Sequence, residues 1–210
     1  MRKRILYGGS FDPPTLAHQE VLEIAREAYP DAEILVIPAG SPPHKAGQRM
    51  RPADLRLKMA ALAFGDIPGL RISDEECRRA GLSYTIDTLR AQTIGDTHSS
   101  PDPADLQLYL LMGSDSTLSL PKWRSPHEIL KRAQILTVPR PGFDLGRIDQ
   151  LAGFSPQEKA ALKKGVLHRE ASALSSTEAR ALLEAGLPAE GVVPPKVLAF
   201  IQAKGLYKPQ

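Results

Sequence analysis

Gly8-Gly9-Ser10-Phe11-Asp12-Pro13-Pro14-Thr15-Leu16-Ala17-His18 follows the short apolar run Ile5-Leu6-Tyr7 and leads into a helical pattern. An apolar run closed by glycines reads as a buried strand ending in a turn. Two glycines permit a tight turn and let backbone approach a phosphate closely. A helix beginning near Thr15 points its free N–H groups into the same space. His18 falls on the first turn of that helix, where an imidazole can donate to a phosphate oxygen as charge develops. The same residues also fit a plain strand-to-helix turn with Thr15 as cap and His18 partly buried, and on this segment alone both readings stay open.

Outward from this turn, apolar runs alternate with helical patterns. Val21, Ile24, Ala25 and Ala28 recur at helix spacing between about Leu16 and Tyr29. Ile34 to Ile37 is a second strand stopped by Pro38, and Leu55, Met59, Leu62 and Ala63 mark a second helix. Leu70-Arg71-Ile72 reads as a short strand, Ser83 to about Ile94 as a helix with Ile86 and Leu89 inward, Leu106 to Met112 as a strand ending at Gly113, and Ile135 to Val138 as a strand ending at Pro139. Ser125-Pro126-His127-Glu128 and Ser155-Pro156-Gln157-Glu158 carry the capping-box pattern. Gly95 to Asp105 reads as an exposed loop. The last third is helical, with starts at Ser175 and Pro194 and stops at Gly186 and Gly205.

Strands that are apolar throughout and separated by helices predict an α/β fold, a doubly wound parallel sheet covered on both faces. Residues 1–210 read as a single domain, with about 153–210 a mostly helical C-terminal part. Ligands in such sheets bind beyond the carboxyl ends of the strands. That rule draws the eye to Gly8-Gly9-Ser10, Pro38-Ala39-Gly40, Gly113-Ser114-Asp115 and Pro139-Arg140-Pro141-Gly142.

The 210 residues are 42% hydrophobic and 24% charged, enough for a full core. Cys77 is the single cysteine, which excludes an internal disulfide and fits an inert thiol in a reducing cytoplasm. The net charge of +3 is spread without a basic run, so nucleic acid is not an expected partner, and no stretch has the length of a membrane span. His98, His127 and His168 lack metal-ligand spacing.

Four further segments carry candidate chemistry. In Ser175-Ser176-Thr177-Glu178-Ala179-Arg180, hydroxyls at a helix start cap its N–H groups, and Arg180 one turn inside adds a guanidinium suited to a polyphosphate. In Pro42-Pro43-His44-Lys45 a stiff arm can hold Lys45 over an anion, although a solvated lysine fits equally. After Met112-Gly113, Asp115 could meet a ribose hydroxyl or a hydrated metal ion, and Trp123 could stack on a flat ring, against capping and core roles. Ser83-Tyr84-Thr85-Ile86-Asp87-Thr88 is a helix start able to face a carboxylate.

Gly8 to His18 resembles the (H/T)-x-G-H segment of the nucleotidylyltransferase superfamily, and Ser175 to Arg180 its S-S-T-x-I-R segment. Between them Pro42 to Lys45, Ser83 to Leu89, Met112 to Asp115, Lys122-Trp123 and Arg140-Pro141-Gly142 are similar, in order, to bacterial nicotinate mononucleotide adenylyltransferases, as is the tail from Val193 to Tyr207. The resemblance implies a Rossmann-like nucleotidyltransferase fold whose C-terminal part completes the ATP site. It implies transfer of the adenylyl group of ATP to nicotinate mononucleotide, with Mg²⁺ assisting, in the cytoplasm. It implies His18, Thr15 and Arg180 as catalytic, and Gly8, Gly9, Ser10, Phe11, His18, Gly113, Asp115, Ser175, Ser176, Thr177 and Arg180 as the ATP site. Lys45, Tyr84, Thr85 and Trp123 would bind the acceptor. Mg²⁺ would be held mainly by the ATP phosphates, with Asp115 in reach through water. A homo-oligomer is compatible with this reading.

The chain departs from the family pattern at Thr15, where the first imidazole is usual, and at Ala17, where glycine lets backbone lie close to the nucleotide. Ala179 stands where Ile is usual. Threonine at the first position occurs in phosphopantetheine adenylyltransferases, which form the alternative enzyme reading. A nucleotide-binding module without catalysis is the alternative from another class. His18→Ala is expected to lower adenylyl-transfer turnover on the order of 10²–10³-fold if the imidazole stabilises developing charge. An unchanged rate in a steady-state assay would make His18 structural only.

Overall fold

The computed structural model describes residues 1–43, 47, 50–94 and 105–208. Five strands form one parallel sheet: β1 (Arg2–Gly9), β2 (Glu33–Pro38), β3 (Leu70–Ile72), β4 (Leu106–Gly113) and β5 (Gln134–Val138), in the order β3-β2-β1-β4-β5. The doubly wound reading holds. The chain winds outward from β1 to β3 and then returns to the other side of β1 with β4. The winding therefore reverses between β1 and β4, and a crevice opens there beyond the carboxyl ends of those two strands.

Side chains alternate along each strand, so each strand feeds two cores. Ile5, Tyr7, Ile34, Val36, Tyr109, Leu111, Leu136 and Val138 meet Val21 and Leu22 of α1 (Leu16–Ala28) and Met59 and Phe64 of α2 (Ala53–Phe64). Leu6, Leu35, Ile37, Leu108, Leu110, Met112 and Ile135 form the core of the opposite face. Ile86 and Leu89 of α4 (Thr85–Ile94), Ile129 of α6 (Pro126–Arg132) and Leu162 of α7 (Pro156–Lys164) cover it, with α3 (Glu75–Arg78) and α5 (Ser114–Ser119) as short links. The C-terminal part joins the first core through Ala179 of α8 (Ser176–Glu184) and Val197 and Ile201 of α9 (Pro195–Lys204).

The second helix differs from its expected face. Leu55 is only half-buried, whereas Arg56 is 1% exposed. Its guanidinium points inward to carbonyl oxygens: Nε donates to Arg51 (2.9 Å), Nη1 to Ser10 (2.9 Å) and Ala39, and Nη2 to Gly40 (2.8 Å). Burial lowers its pKa from the ordinary value, and guanidinium stays cationic all the same.

The two capping-box motifs also part company. Ser155 accepts from the Glu158 N–H, and Glu158 reaches back to the Ser155 N–H at 2.8 Å. Ser125 instead sits in the left-handed region at φ 53° without a side-chain cap bond. Glu128 is taken by two guanidiniums, Arg90 and Arg132, which hold its carboxyl at about 2. Charge-assisted bonds outcompete a neutral N–H for the same carboxylate. The predicted loop from Gly95 to Asp105 lies outside the described residues except for Asp105. Among the described residues no helix is long and apolar enough to cross a membrane.

Arg56→Met keeps the volume but leaves the carbonyls of Ser10, Ala39 and Gly40 without this donor. It is expected to destabilise the fold by about 3 kcal/mol or more, read from the urea midpoint. A loss below about 1 kcal/mol would place those carbonyls in water.

Candidate active site

The turn after β1 is held in a single shape. Phe11 and not a glycine takes the left-handed backbone, at φ 48°, and Asp12-Pro13 is a cis peptide. The Phe11 ring is 1% exposed and packs edge-on against Tyr7, His18 and Phe64, with centroids 5.3–5.7 Å apart. This packing offsets the ~1 kcal/mol that a left-handed bulky residue costs. A Cβ on Gly9 would lie 2.8 Å from the Phe11 ring, whereas one on Gly8 would meet nothing within 4 Å. Gly9 thus makes room for Phe11, and Gly8 is exposed at the crevice.

Thr15 precedes α1 with extended backbone and is completely buried. Its N–H donates to His18 Nδ1 at 3.0 Å, and its hydroxyl lies 2.7 Å from the same atom. A ring nitrogen that accepts from an N–H carries a lone pair, so the neutral imidazole has its proton on Nε2. Thr15 therefore sets the tautomer and angle of His18. Ala17 is 4% exposed, so its methyl group lies mainly inside the protein and not on the open face.

The start of α8 closes on this turn from the far end of the chain. Ser175 caps the helix by accepting from the Glu178 N–H at 3.1 Å. Ser176 Oγ donates to the Pro13 carbonyl at 2.8 Å, and Arg180 Nη1 donates to the Asp12 carbonyl at 2.7 Å. Arg180 Nη2 reaches Thr177 Oγ1 at 3.2 Å. The Asp12 carboxylate accepts from the buried Tyr207 hydroxyl and from the Arg51 N–H at 3.3 Å. Burial and then the Asp12 charge raise the Tyr207 pKa, which keeps the phenol a donor. Both phosphate-binding candidates are thus one assembly.

Across the crevice stand Gly113 and Asp115 at the end of β4. A Cβ on Gly113 would lie 2.5 Å from Asp115 Oδ1 and 2.8 Å from Arg140 Cδ, so this position takes only glycine without a shift. Arg140, just after β5, approaches Asp115 at 3.7 Å and donates to the Leu174 carbonyl at 3.1 Å. It links the β4 end to the residue before Ser175. Arg140 belongs to the candidate site, yet the sequence offered only its place after a strand and in a family-like segment, with no role attached.

The acceptor candidates form a second group. Tyr84 stands immediately before α4, whose first residue is Thr85, and the Arg124 guanidinium lies 4.5 Å from the Tyr84 ring centroid. Trp123, next to Arg124, is half-buried and bonds Ser119 Oγ at 3.4 Å. The arm after β2 is tied to this group by Ser41 and Ser83, whose backbones bond at 2.9 Å. Lys45 lies outside the described residues. Among the described residues no cluster of three or more His, Cys, Asp or Glu side chains could hold a metal ion.

A helix-flanked parallel sheet, with the turn after β1 and the start of α8 meeting at its switch point, has the architecture of a nucleotidyltransferase. The family model described as cytidylyltransferase-like matches residues 6–182. A Herpetosiphon aurantiacus protein named "Probable nicotinate-nucleotide adenylyltransferase" is 34% identical over 99% of both chains. A Roseiflexus protein of the same name is 36% identical over 97% of this chain and 96% of its own. The chain belongs to the nicotinate-nucleotide adenylyltransferase family. In fold it resembles a Plasmodium falciparum nicotinic acid mononucleotide adenylyltransferase complexed with NaAD, with a TM-score of 0.73, 19% identity and coverage of 99% of this chain and 98% of that one.

Thr15→Val removes the hydroxyl but keeps the backbone bond to His18. It is expected to lower turnover roughly tenfold, less than loss of the imidazole, with little change in KM for ATP. Turnover equal to that of His18→Ala would assign Thr15 a direct part in the chemistry.

Proposed function

We propose that this protein transfers the adenylyl group of ATP to nicotinate mononucleotide, giving deamido-NAD and pyrophosphate. The observation that carries the reading is the closure of Ser176 and Arg180 onto Asp12-Pro13, which puts a helix start, a guanidinium and the His18 turn around one crevice. Family membership over nearly the whole chain supplies the substrate pair.

An oxygen of the acceptor phosphate attacks the α-phosphorus of ATP, and the bond from that phosphorus to the bridging oxygen of pyrophosphate breaks. Negative charge grows on the α-phosphoryl oxygens and on the leaving group. The work of the protein is positioning and charge stabilisation, without a covalent intermediate. His18, with its proton on Nε2, is suited to donate to the developing charge. Arg180 and the N–H groups at the start of α8 face the leaving phosphates. Gly8, Gly9 and Ser10 let the nucleotide approach the β1 end.

Mg²⁺ fits the donor chemistry, because it prefers a carboxylate or two together with substrate phosphates and water. The half-exposed Asp115 would hold it through water, and the ion would neutralise phosphate charge. At the acceptor end, the start of α4 would face the ring carboxylate, Trp123 would stack on the ring, and Lys45 would meet the acceptor phosphate. We assign the activity to the cytoplasm, in keeping with the single cysteine.

Pyrophosphate release should be measured with ATP, Mg²⁺ and, in separate reactions, nicotinate mononucleotide, its amide and phosphopantetheine. Release is expected with the acid, and more slowly with the amide. Release with phosphopantetheine alone, or with none of the three, would overturn the proposal.

A further inference from the structure

Glu76 lies in α3, outside the residues assigned to either substrate, and is only 8% exposed. A carboxylate buried to this degree costs free energy unless it is hydrogen-bonded, so its partners show what it holds. Thr88, on the second turn of α4, donates its hydroxyl to Glu76 Oε1 at 2.6 Å. Arg79 Nη1 donates to the same hydroxyl at 3.2 Å. The buried Ser83 hydroxyl also acts on this carboxylate, holding its pKa down. Ser83 Oγ in turn accepts the Ser41 N–H at 3.1 Å, beside the backbone bond from Ser83 N–H to the Ser41 carbonyl.

Three segments therefore meet on this one side chain: α3, the arm that leaves β2, and the start of α4. Backbone contact is equally tight. A Cβ on Gly40 would lie 2.1 Å from the Glu76 carbonyl oxygen and 3.0 Å from Ser83 Oγ. Arg56 fixes Gly40 from the other side by bonding its carbonyl. The arm and the α4 start are the elements that carry the acceptor candidates, whereas the ATP candidates sit on β1, β4 and α8.

We propose that Glu76 is a positioning residue for the acceptor nucleotide, acting through Ser83 and Thr88 to fix the arm after β2 against the start of α4. The inference rests on the adenylyltransferase reading above. Burial raises the Glu76 pKa, and the hydrogen bond from Thr88, the positive charge of Arg79 and the Ser83 hydroxyl oppose that rise, as expected for a carboxylate built into a polar network.

The test is steady-state kinetics with nicotinate mononucleotide and ATP varied separately, on wild type, Glu76→Ala, Glu76→Gln and Ser83→Ala. Glu76→Ala is expected to raise KM for the acceptor roughly tenfold while KM for ATP and kcat stay within about threefold. Ser83→Ala, a one-atom change that keeps the fold if Glu76→Ala does not, is expected to show the same split in smaller measure. Glu76→Gln, whose amide oxygen can still accept a hydroxyl, should recover most of the acceptor KM. Equal changes in both KM values, or none, would overturn the inference while leaving the function standing. A wild-type protein inactive toward nicotinate mononucleotide would overturn the function, and this inference with it.

Discussion

The buried guanidinium of Arg56 is the interaction on which the rest of the site depends. Parallel strands end with carbonyls that the sheet no longer pairs, and the loops after β1 and β2 pass through half-buried positions at Ser10, Ala39 and Gly40. Such carbonyls need donors. Arg56 supplies four bonds in a fixed fork, to Ser10 after β1, to Ala39 and Gly40 after β2, and to Arg51 on its own approach. A lysine has one nitrogen and could not span these positions. A buried cation is tolerable only when its donors are used, and here four of five are. One side chain thereby fixes the β1 turn relative to the arm after β2, which means the ATP end relative to the acceptor end.

A second constraint joins the two ends of the chain. Asp12 binds Tyr207 and the Arg51 N–H through its carboxylate and Arg180 through its carbonyl, while the neighbouring Pro13 carbonyl takes Ser176. The phosphate turn is therefore complete only when α8 and the residues after α9 are in place. Arg51, whose backbone N–H bonds Asp12, also lays its guanidinium over the Tyr207 ring, 4.3 Å from the centroid. Contacts this distant in sequence carry a loop-closure cost that several bonds made together offset. These bonds tie the shape of the turn after β1 to the placement of the C-terminal part.

The sheet was legible because its signals are local. Ile5 to Tyr7, Ile34 to Ile37 and Ile135 to Val138 are apolar throughout, as strands buried on both faces must be, and the stops at Gly8, Pro38 and Pro139 are backbone effects. The candidate site was read from strand ends and helix starts, where a general rule says ligands bind, and the fold brings the β1 turn and the start of α8 together. Arg56 was not legible, because a charged residue inside a helical pattern reads as outward, and only the three-dimensional supply of carbonyls turns it inward. Ser125 misled because a capping box competes with partners from other elements, here Arg90 across the α4–α6 contact. Arg140 stood in view after β5, but its tie to Leu174 joins segments 34 residues apart, a relation that no spacing reveals.

The departures from the family pattern are best understood by what surrounds them. Ala17 raised the expectation of a methyl group against the nucleotide, yet at 4% exposure it adds almost nothing to the open surface. Thr15 lacks the charge of an imidazole, but it is buried and bonded to His18 by two donors on one residue. An imidazole at that position could not offer the same hydroxyl to Nδ1. Thr15 thus gives the turn one firmly oriented neutral imidazole in place of a second ring. In the proposed reaction His18 and Arg180 serve the leaving phosphates, and both are held to the turn after β1, His18 by Thr15 and Arg180 by the Asp12 carbonyl.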